Sequence, residues 1–387
     1  MKDDALYIKK AIALARKGLS VDTSEKGETG KVSPNPLVGA VIVLEKKGKK
    51  LDKGNGVVIG KGYHKVFGGA HAEVVAINDA VENGYGERDF RQATLYVNLE
   101  PCCHKGKTGP CCEEIVRRGF KRVVVAHKDP SSKVNGKGIK YLREHGVVVE
   151  VGVCEDVARK INQPFLKISK TGIPYVTLKS GISLDGRIST GRGVPEWITN
   201  QVSRKHGYDL RLAHDAIVVG ANTVIIDNPK LMSGKGGKGK LFRVILDGKL
   251  RTNPSYKVFR DENVLVAHTD LASKKDIKKF IDAGVKIKNF GKDKVDIKKL
   301  LKHLYSEFGI MSVFVEGGGE VNGSFVDAKM IDTAYFYIAP EILGGRNSIS
   351  VVEGNGAKSV KDDLKIKKLN VKNLNGDILI FGNINEY

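Results

Sequence analysis

Glu100-Pro101-Cys102-Cys103-His104-Lys105-Gly106-Lys107-Thr108-Gly109-Pro110-Cys111, read with His71-Ala72-Glu73 before it, is the stretch that organises the first half of this chain. Together they supply an imidazole, two thiolates and a carboxylate, a set that can build a catalytic zinc site. Soft thiolates with an imidazole select zinc over hard cations, and three protein ligands leave the fourth tetrahedral position to a water. Zinc lowers the pKa of such a water toward neutrality. Glu73, two residues after the first ligand, is placed to take its proton and pass it to a leaving amine. Hydrolytic deamination is the reaction class this predicts.

The spacing narrows the ligand set without closing it. The general zinc-deaminase signature continues as PCxxC, but the residue three places after Cys102 is Lys105, which cannot ligate. Cys103, His104, Cys111 and Cys112 remain. Cys111 opens an amphipathic run, Glu113 to Arg118, and is expected at a helix N-terminus, where the dipole favours thiolate. It is the preferred third ligand. The competing readings are a closed zinc site or ordinary buried cysteines. Glu100 is expected to be structural, and Cys103 and Cys112 bystanders.

Working outward, Asp3 and Asp4 can cap a helix whose apolar positions end before Gly18, and the polar segment Ser20 to Lys31 reads as a surface loop. Leu37 to Leu44 is an apolar run suited to a buried strand, with Val57 to Gly60 its partner across the turn-rich Lys46 to Gly56. Ala72, Val75, Ala76 and Ala80 recur at helical spacing, so His71 and Glu73 fall at a helix start. Leu95, Val97 and Leu99 alternate as in a strand that Pro101 ends, Arg122 to Ala126 forms another, and Gly146 to Val151 the last. The pattern predicts a sheet flanked by helices that carry ligands at their N-termini. Cys154 to Lys170 reads as a linker.

A chain of 387 residues exceeds the size of one core, so two domains are expected, 1–150 and 151–387, with a linker at 151–173. Hydrophobic content of 41% suffices for real cores, no run of eighteen apolar residues occurs, and the N-terminus lacks a signal-peptide block. A soluble protein with no membrane partner is predicted. Four of the five cysteines sit in two adjacent pairs, unlike a disulfide framework, which fits a reducing, cytoplasmic location. Lys+Arg 65 against Asp+Glu 44 gives +21 and points to an anionic partner. The lysines are scattered over helix faces, so a solvated surface is the plainer reading and nucleic acid is not expected, while a phosphorylated substrate and a dinucleotide phosphate would also benefit from the field. A homo-oligomer is expected.

The second half restarts with Tyr175 to Ser180, a strand that delivers Lys179 into the turn Leu184-Asp185-Gly186-Arg187. Ala216 to Gly220 is apolar, and Ala221-Asn222-Thr223-Val224 opens a helix ending before Asp227-Asn228-Pro229. Residues 233–240, SGKGGKGK, read as a solvated basic loop. Ser312 to Gly323 runs from a strand through Gly317-Gly318-Gly319 into a helix, a shape that lets backbone amides approach a pyrophosphate. It is not the GxGxxG fingerprint, because Asn322 stands where the third glycine belongs.

The order HAE, then EPCCHKGKTGPC, resembles the deaminase half of the bifunctional riboflavin-biosynthesis deaminase/reductase family. In that family the third ligand is a cysteine nine residues after the first, which implies Cys111 after Cys102. The likeness extends to Ser33-Pro34-Asn35-Pro36 and Gly62-Tyr63-His64, implying that Asn35 and His64 help hold the pyrimidine and that Lys107 and Thr108 belong to the substrate loop. LKSGISLDGRI, WIT, AHDAIVVGANTVIIDNPKL, FVEGGGEVNGSF and YIAPEILGG occur in the order of the family's reductase half. By that resemblance Lys179, Arg211, Leu231 and Glu316 contact the ribose phosphate substrate. Ile182, Trp197, Thr223, Asp227 and the segment Gly318, Gly319, Glu320, Val321, Asn322, Gly323 and Ser324 hold NADPH. The implied architecture is a cytidine-deaminase-like α/β/α domain followed by a dihydrofolate-reductase-like α/β domain. The implied reactions are zinc-dependent deamination of a phosphoribosylated diaminopyrimidine and NADPH-dependent reduction of the product's ribosyl group to ribityl.

The chain departs from the family at Gly109 and Pro195, where a proline and a serine are usual, and at Gly234, where an arginine is usual and Lys235 or Lys238 offers only a point charge. A nucleotide or RNA base deaminase with a degenerate second half, or a zinc-stabilised RNA-binding module, are the rival readings. The second leaves Glu73 without a role.

Overall fold

Side chains that alternate along the apolar run after Leu37 build the first sheet, because each face of the strand meets a different helical layer. The computed structural model describes residues 2–19, 32–45, 56–104, 109–131, 134–191, 196–231 and 241–387. The chain divides into two units, Met1–Thr171 with Tyr387, and Gly172–Glu386.

The first unit runs α1 (Lys2–Ala15), β1 (Gly39–Glu45), β2 (Gly56–Tyr63), α2 (Ala72–Glu82), α3 (Glu87–Phe90), β3 (Ala93–Val97), α4 (Cys111–Arg117), β4 (Arg122–Val125), α5 (Lys137–Glu144), β5 (Val148–Val151), α6 (Glu155–Ile161) and α7 (Gln163–Thr171). Its sheet has the order β2-β1-β3-β4-β5, antiparallel at β1 with both neighbours and parallel from β3 onward. Ala40 and Ile42 of β1 join Ala76, Ile115 and Leu142 of the α2, α4 and α5 layer, while Val41 and Val43 join Ile8, Ile12 and Ala158 of the α1 and α6 layer. Burying each large apolar side chain contributes roughly 1.5–3 kcal/mol. Three layers, α/β/α, result.

Two differences from the sequence reading have physical causes. Asp4 lies inside the first turn of α1, where it accepts from Tyr96 Oη at 2.9 Å and pairs with Arg122 at 3.0 Å. Residues 155–171, expected as a linker, form two helices grouped with the first unit, because Val157, Ala158 and Ile161 pack with Ile8 and Val41. Asn162, between those helices, donates to the Leu37 carbonyl at 3.0 Å and accepts from the Leu37 amide at 2.8 Å.

The second unit contains β6 (Tyr175–Ile182), β7 (Arg187–Ser189), α8 (Gln201–Leu212), β8 (Ala216–Gly220), α9 (Ala221–Asp227), β9 (Phe242–Leu246), β10 (Val264–His268), α10 (Lys274–Asp282), β11 (Ile287–Asn289), α11 (Ile297–Phe308), β12 (Ser312–Val315), α12 (Gly319–Asp327), β13 (Thr333–Ile338), β14 (Ile349–Ser350), β15 (Lys367–Leu374) and β16 (Asp377–Asn383). Nine strands lie in the order β11-β10-β9-β8-β12-β6-β13-β16-β15. They are parallel up to β13, and β16 and β15 close the edge antiparallel. Parallel strands covered on both faces read as unbroken apolar runs, as in AIVVG and SVFV. Val218 and Val313 face the α11 and α12 layer, while Ile217 and Phe314 face the α9 and α10 layer. Among the described residues no helix is long and apolar enough to cross a membrane.

Candidate metal centre and ligand cleft

Close packing of α2 on the sheet aims the first ligand. A Cβ at Gly60 or Gly62 of β2 would sit 2.3 Å from the Ala76 oxygen or 2.5 Å from the Ala72 oxygen, so only glycine lets the helix lie there. His71 caps α2 in extended conformation, with φ −73 and ψ 160, and Glu73 stands in the first turn. Cys111 is the first residue of α4, and the Cys112 amide donates to the Cys102 carbonyl at 3.1 Å, fastening the two thiol-bearing segments together.

His71 Nδ1 lies 3.1 Å from Cys111 Sγ and 3.4 Å from Cys102 Sγ. A tetrahedral zinc with bonds of about 2.0 Å to nitrogen and about 2.3 Å to sulfur spans donor separations of about 3.5–3.8 Å. The three donor atoms all lie within 4.8 Å of one another, so they fit such an ion with small shifts. Of the four candidates for the third ligand, Cys111 joins this cluster. His104 is exposed, while Cys103 and Cys112 pack in the apolar core.

The electrostatics are those of a strongly coupled trio. A hydrogen bond from the Cys111 thiol, with His71 adding, pulls Cys102 down to about 4, and the same bond holds Cys111 well above the ordinary thiol range. Burial pushes the Glu73 carboxyl up to about 7, and the neighbouring Cys102 charge pushes the same way. Burial also lifts Cys112, to about 12, which keeps it a neutral thiol.

Beside the trio, the His64 ring stands 5.5 Å from that of His71, edge-on. His64 Nδ1 donates to the Ala70 carbonyl at 3.0 Å, so Nε2 accepts from the Asn35 amide at 2.9 Å. Burial lowers the His64 pKa and keeps the ring neutral. The Asn35 loop is fixed from behind, since Asn98 donates to the Leu37 carbonyl at 2.9 Å and accepts from the Gly39 amide at 2.7 Å. Lys107 and Thr108 lie outside the described residues, as do Pro195, Gly234, Lys235 and Lys238.

Glu100 is structural in plain hydrogen-bond terms. Its carboxylate, 4% exposed, accepts from the amides of Asp129 at 3.2 Å, Gly136 at 2.9 Å, Gly138 at 3.0 Å and Ile139 at 3.2 Å. Each buried amide left unpaired costs about 1–3 kcal/mol. Glu100→Ala is therefore expected to lower the urea midpoint of the deaminase unit by the equivalent of about 3–5 kcal/mol. An unchanged midpoint would show that water replaces the carboxylate at no cost.

The second unit carries a cleft of ≈ 1840 Å³ along the C-terminal ends of its parallel strands. That exceeds the ~300–1,000 Å³ of a site for one small ligand and leaves room for a substrate and a dinucleotide together. Lys179, Arg211, Leu231 and Glu316 all line it. Glu316 bridges the two cations, accepting from Lys179 Nζ at 2.9 Å and from Arg211 Nη2 at 2.5 Å. Burial alone would raise its pKa, but the two cations overrule it and the carboxyl titrates below its ordinary value. Among the described residues Arg211 Nε is buried without a protein partner. Lys179 also sits over the Tyr337 ring, 5.7 Å from its centroid.

Trp197, Thr223, Asp227, Gly318, Gly319, Glu320, Val321 and Ser324 line the same cleft. Gly317 and Gly319 are required by packing, since a Cβ would lie 2.5 Å from Val321 Cβ or from the Ser350 oxygen. At Gly318 the nearest atom to a Cβ would be Ile188 Cδ1 at 4.0 Å, and its φ of −76 suits any residue. An open approach to backbone remains there, which suits a cofactor phosphate. Ile182, Asn322 and Gly323 are not among the lining residues. Asn322 donates to Ser180 at 3.1 Å and to the Val351 carbonyl at 2.8 Å, and Gly323 abuts the Glu353 oxygen. They support the turn from behind.

The zinc-binding region of cytidine and deoxycytidylate deaminases matches residues 2–127, and the RibD C-terminal domain matches residues 174–380. The riboflavin biosynthesis protein RibD of Bacillus amyloliquefaciens is 40% identical over 377 residues, 96% of this chain and 94% of that protein. Among solved structures, Acinetobacter baumannii RibD aligns with a TM-score of 0.81 at 33% identity, covering 99% of each chain. A Thermotoga maritima diaminohydroxyphosphoribosylaminopyrimidine deaminase/5-amino-6-(5-phosphoribosylamino)uracil reductase aligns with a TM-score of 0.79 at 34% identity, covering 98% of each. The two folds are accordingly cytidine-deaminase-like and dihydrofolate-reductase-like. With a zinc-type donor set in one unit and a dinucleotide-sized cleft in the other, the chain belongs to the RibD family of bifunctional riboflavin-biosynthesis enzymes, a zinc-binding deaminase joined to a reductase that act on a phosphoribosyl pyrimidine.

Proposed function

We propose that His71, Cys102 and Cys111 hold the zinc, Glu73 moves the proton in deamination, and Lys179, Arg211 and Glu316 seat the substrate for reduction. Bound zinc supplies an activated water and a Lewis acid, and bound NADPH supplies the hydride. Glu73, buried and poised near neutrality, takes a proton and returns it to the departing amine. Asn35 gives one of its two amide N–H groups to His64, which sets the orientation of the carboxamide and keeps its carbonyl oxygen to accept from the pyrimidine. His64, held as the Nδ1–H tautomer, fixes that orientation.

In the second unit the three charged groups sum to +1, two cations less one carboxylate. They bind a phosphate and orient the ribosyl carbon toward the cofactor edge formed by Trp197, Thr223, Asp227 and the Gly318 turn. We further read the protein as cytoplasmic and homo-oligomeric, without a nucleic-acid partner. All five cysteines are free, which supports a reducing compartment. Leu369 and Val371 are exposed on β15, an outer strand of the sheet, which supports a second copy.

The observation that carries the reading is one nitrogen and two sulfurs gathered beside a buried carboxylate. Cys111→Ser is expected to lose most of its zinc by atomic absorption, together with ammonia release, while His104→Ala keeps both. Zinc loss in His104→Ala with full occupancy in Cys111→Ser would reassign the third ligand.

A further inference from the structure

We infer that Arg251 reads the 2′-phosphate of the dinucleotide and is the residue that makes the reductase prefer NADPH to NADH. The inference rests on the cleft reading above and goes beyond it by naming what selects the cofactor. Lining residues follow the strand order, from Lys179 and Ser180 on β6, through the Gly317–Gly319 turn after β12 and Gly220 to Thr223 after β8, to Gly248 and Arg251 after β9 and Thr269 after β10. Four strand spacings separate β6 from β10, about 19 Å, a span that suits an extended dinucleotide. With substrate held by Lys179 and Arg211, the nicotinamide belongs at the β6 side. The adenosine end then falls at β9 and β10.

At that end β9 runs into Asp247. A free carboxylate there would bond the ribose 2′-hydroxyl of NADH and repel a 2′-phosphate. Asp247 is not free. It is 1% exposed, its Oδ1 accepts from the Arg251 amide at 2.9 Å, and its Oδ2 accepts from the Thr252 amide at 2.8 Å and the Thr252 hydroxyl at 2.9 Å. The hydrogen bonds that spend the acid also close the turn that presents Arg251 to the cleft.

The Arg251 side chain is exposed, and its Nη2 donates to Asn222 Oδ1 at 2.9 Å. Asn222 lies on α9, the helix that also carries Thr223 and Asp227. A neutral amide orients the guanidinium without cancelling its charge, and among the described residues no carboxylate pairs with it. The planar fork keeps further N–H groups for two phosphate oxygens. Lys294, Asp293 and Asp296 also line the cleft, and Asp296 is occupied capping α11 through the Lys299 amide at 3.0 Å. Acids here make an unassisted phosphate less welcome, which increases what Arg251 must supply.

The test is calorimetric titration of the full chain with NADP⁺ and with NAD⁺, in wild type, Arg251→Met and Arg251→Lys, with quenching of the single tryptophan, Trp197, as a second readout of cleft occupancy. Arg251→Met is expected to weaken NADP⁺ by about 10- to 100-fold, as loss of a charge-assisted pair does, and to leave NAD⁺ within about twofold. Arg251→Lys is expected to fall between, because a point charge replaces a fork. An unchanged NADP⁺ to NAD⁺ ratio in Arg251→Met, with Trp197 still quenched, overturns the inference alone. If neither dinucleotide binds or quenches wild type, the cleft reading falls and the inference with it.

Discussion

Ammonia release by Glu73→Gln is expected to fall by about 10²- to 10⁴-fold, the usual contribution of a positioned proton carrier, while zinc content and NADPH oxidation stay at wild-type levels. Glutamine keeps the shape and some of the hydrogen bonding but cannot accept and return a proton. The pH behaviour follows from the environment. Burial and the Cys102 charge hold the Glu73 carboxyl at about 7, against an ordinary 4.5, and the positive charge of bound zinc works the other way. Deamination in wild type should therefore lose activity on the acid side with a midpoint below about 7. After zinc is stripped, the raised pKa acts on stability. The folded state holds a proton that the unfolded chain releases near 4.5, so this group favours folding most below that value and the advantage is lost as pH rises through about 7. Stripped Glu73→Gln should melt higher than stripped wild type at pH 8 and alike at pH 4. Full deaminase activity in the variant would remove Glu73 from the mechanism.

Lys179→Ala is expected to raise KM for the phosphorylated substrate by about 10- to 100-fold and to lower the rate of NADPH oxidation, with deamination untouched. The arithmetic is local. Glu316 is shared between Lys179 and Arg211, so deleting the lysine leaves one carboxylate facing one guanidinium and takes the group from +1 to 0. Arg211 is then drawn into its ion pair and offers less to a phosphate. Lys179→Arg should restore part of the affinity, since it returns the charge on a longer stem. A loss of both activities in both Glu73→Gln and Lys179→Ala, with the proteins still folded, would show that the two chemistries are not divided between these residues.

Which features the primary structure disclosed depends on the range over which the physics acts. β1, β8 and β12 were legible because a strand buried on both faces must be apolar throughout. The placement of His71 and Glu73 at a helix start followed from the spacing of Ala72, Val75, Ala76 and Ala80. Cys111 was preferred among four candidates for its place at a helix start, and the family spacing pointed the same way, but nothing local reveals that its thiol meets an imidazole forty residues earlier in the chain. The helices at 155–171 were missed since their segments are short and mostly polar, so their apolar spacing spans too few turns to stand out. Asn322 and Gly323 travelled with their neighbours as cofactor contacts. Helical periodicity turns residues 320, 321 and 324 toward the cleft and those two away from it, a distinction that a contiguous motif hides.

The double hydrogen bond between Asn162 and Leu37 bears on how the enzyme can be taken apart. A fragment ending near residue 150 would retain every proposed zinc ligand and the proton carrier, yet it would strand the amide and share of the carbonyl that Asn162 satisfies next to the Asn35 loop. Such a truncate is apt to bind its ion while gripping pyrimidine poorly, mimicking a catalytic defect that is really a severed brace. Excision after Thr171 keeps the brace, and it is the boundary at which minimal deaminases of this type should be cut.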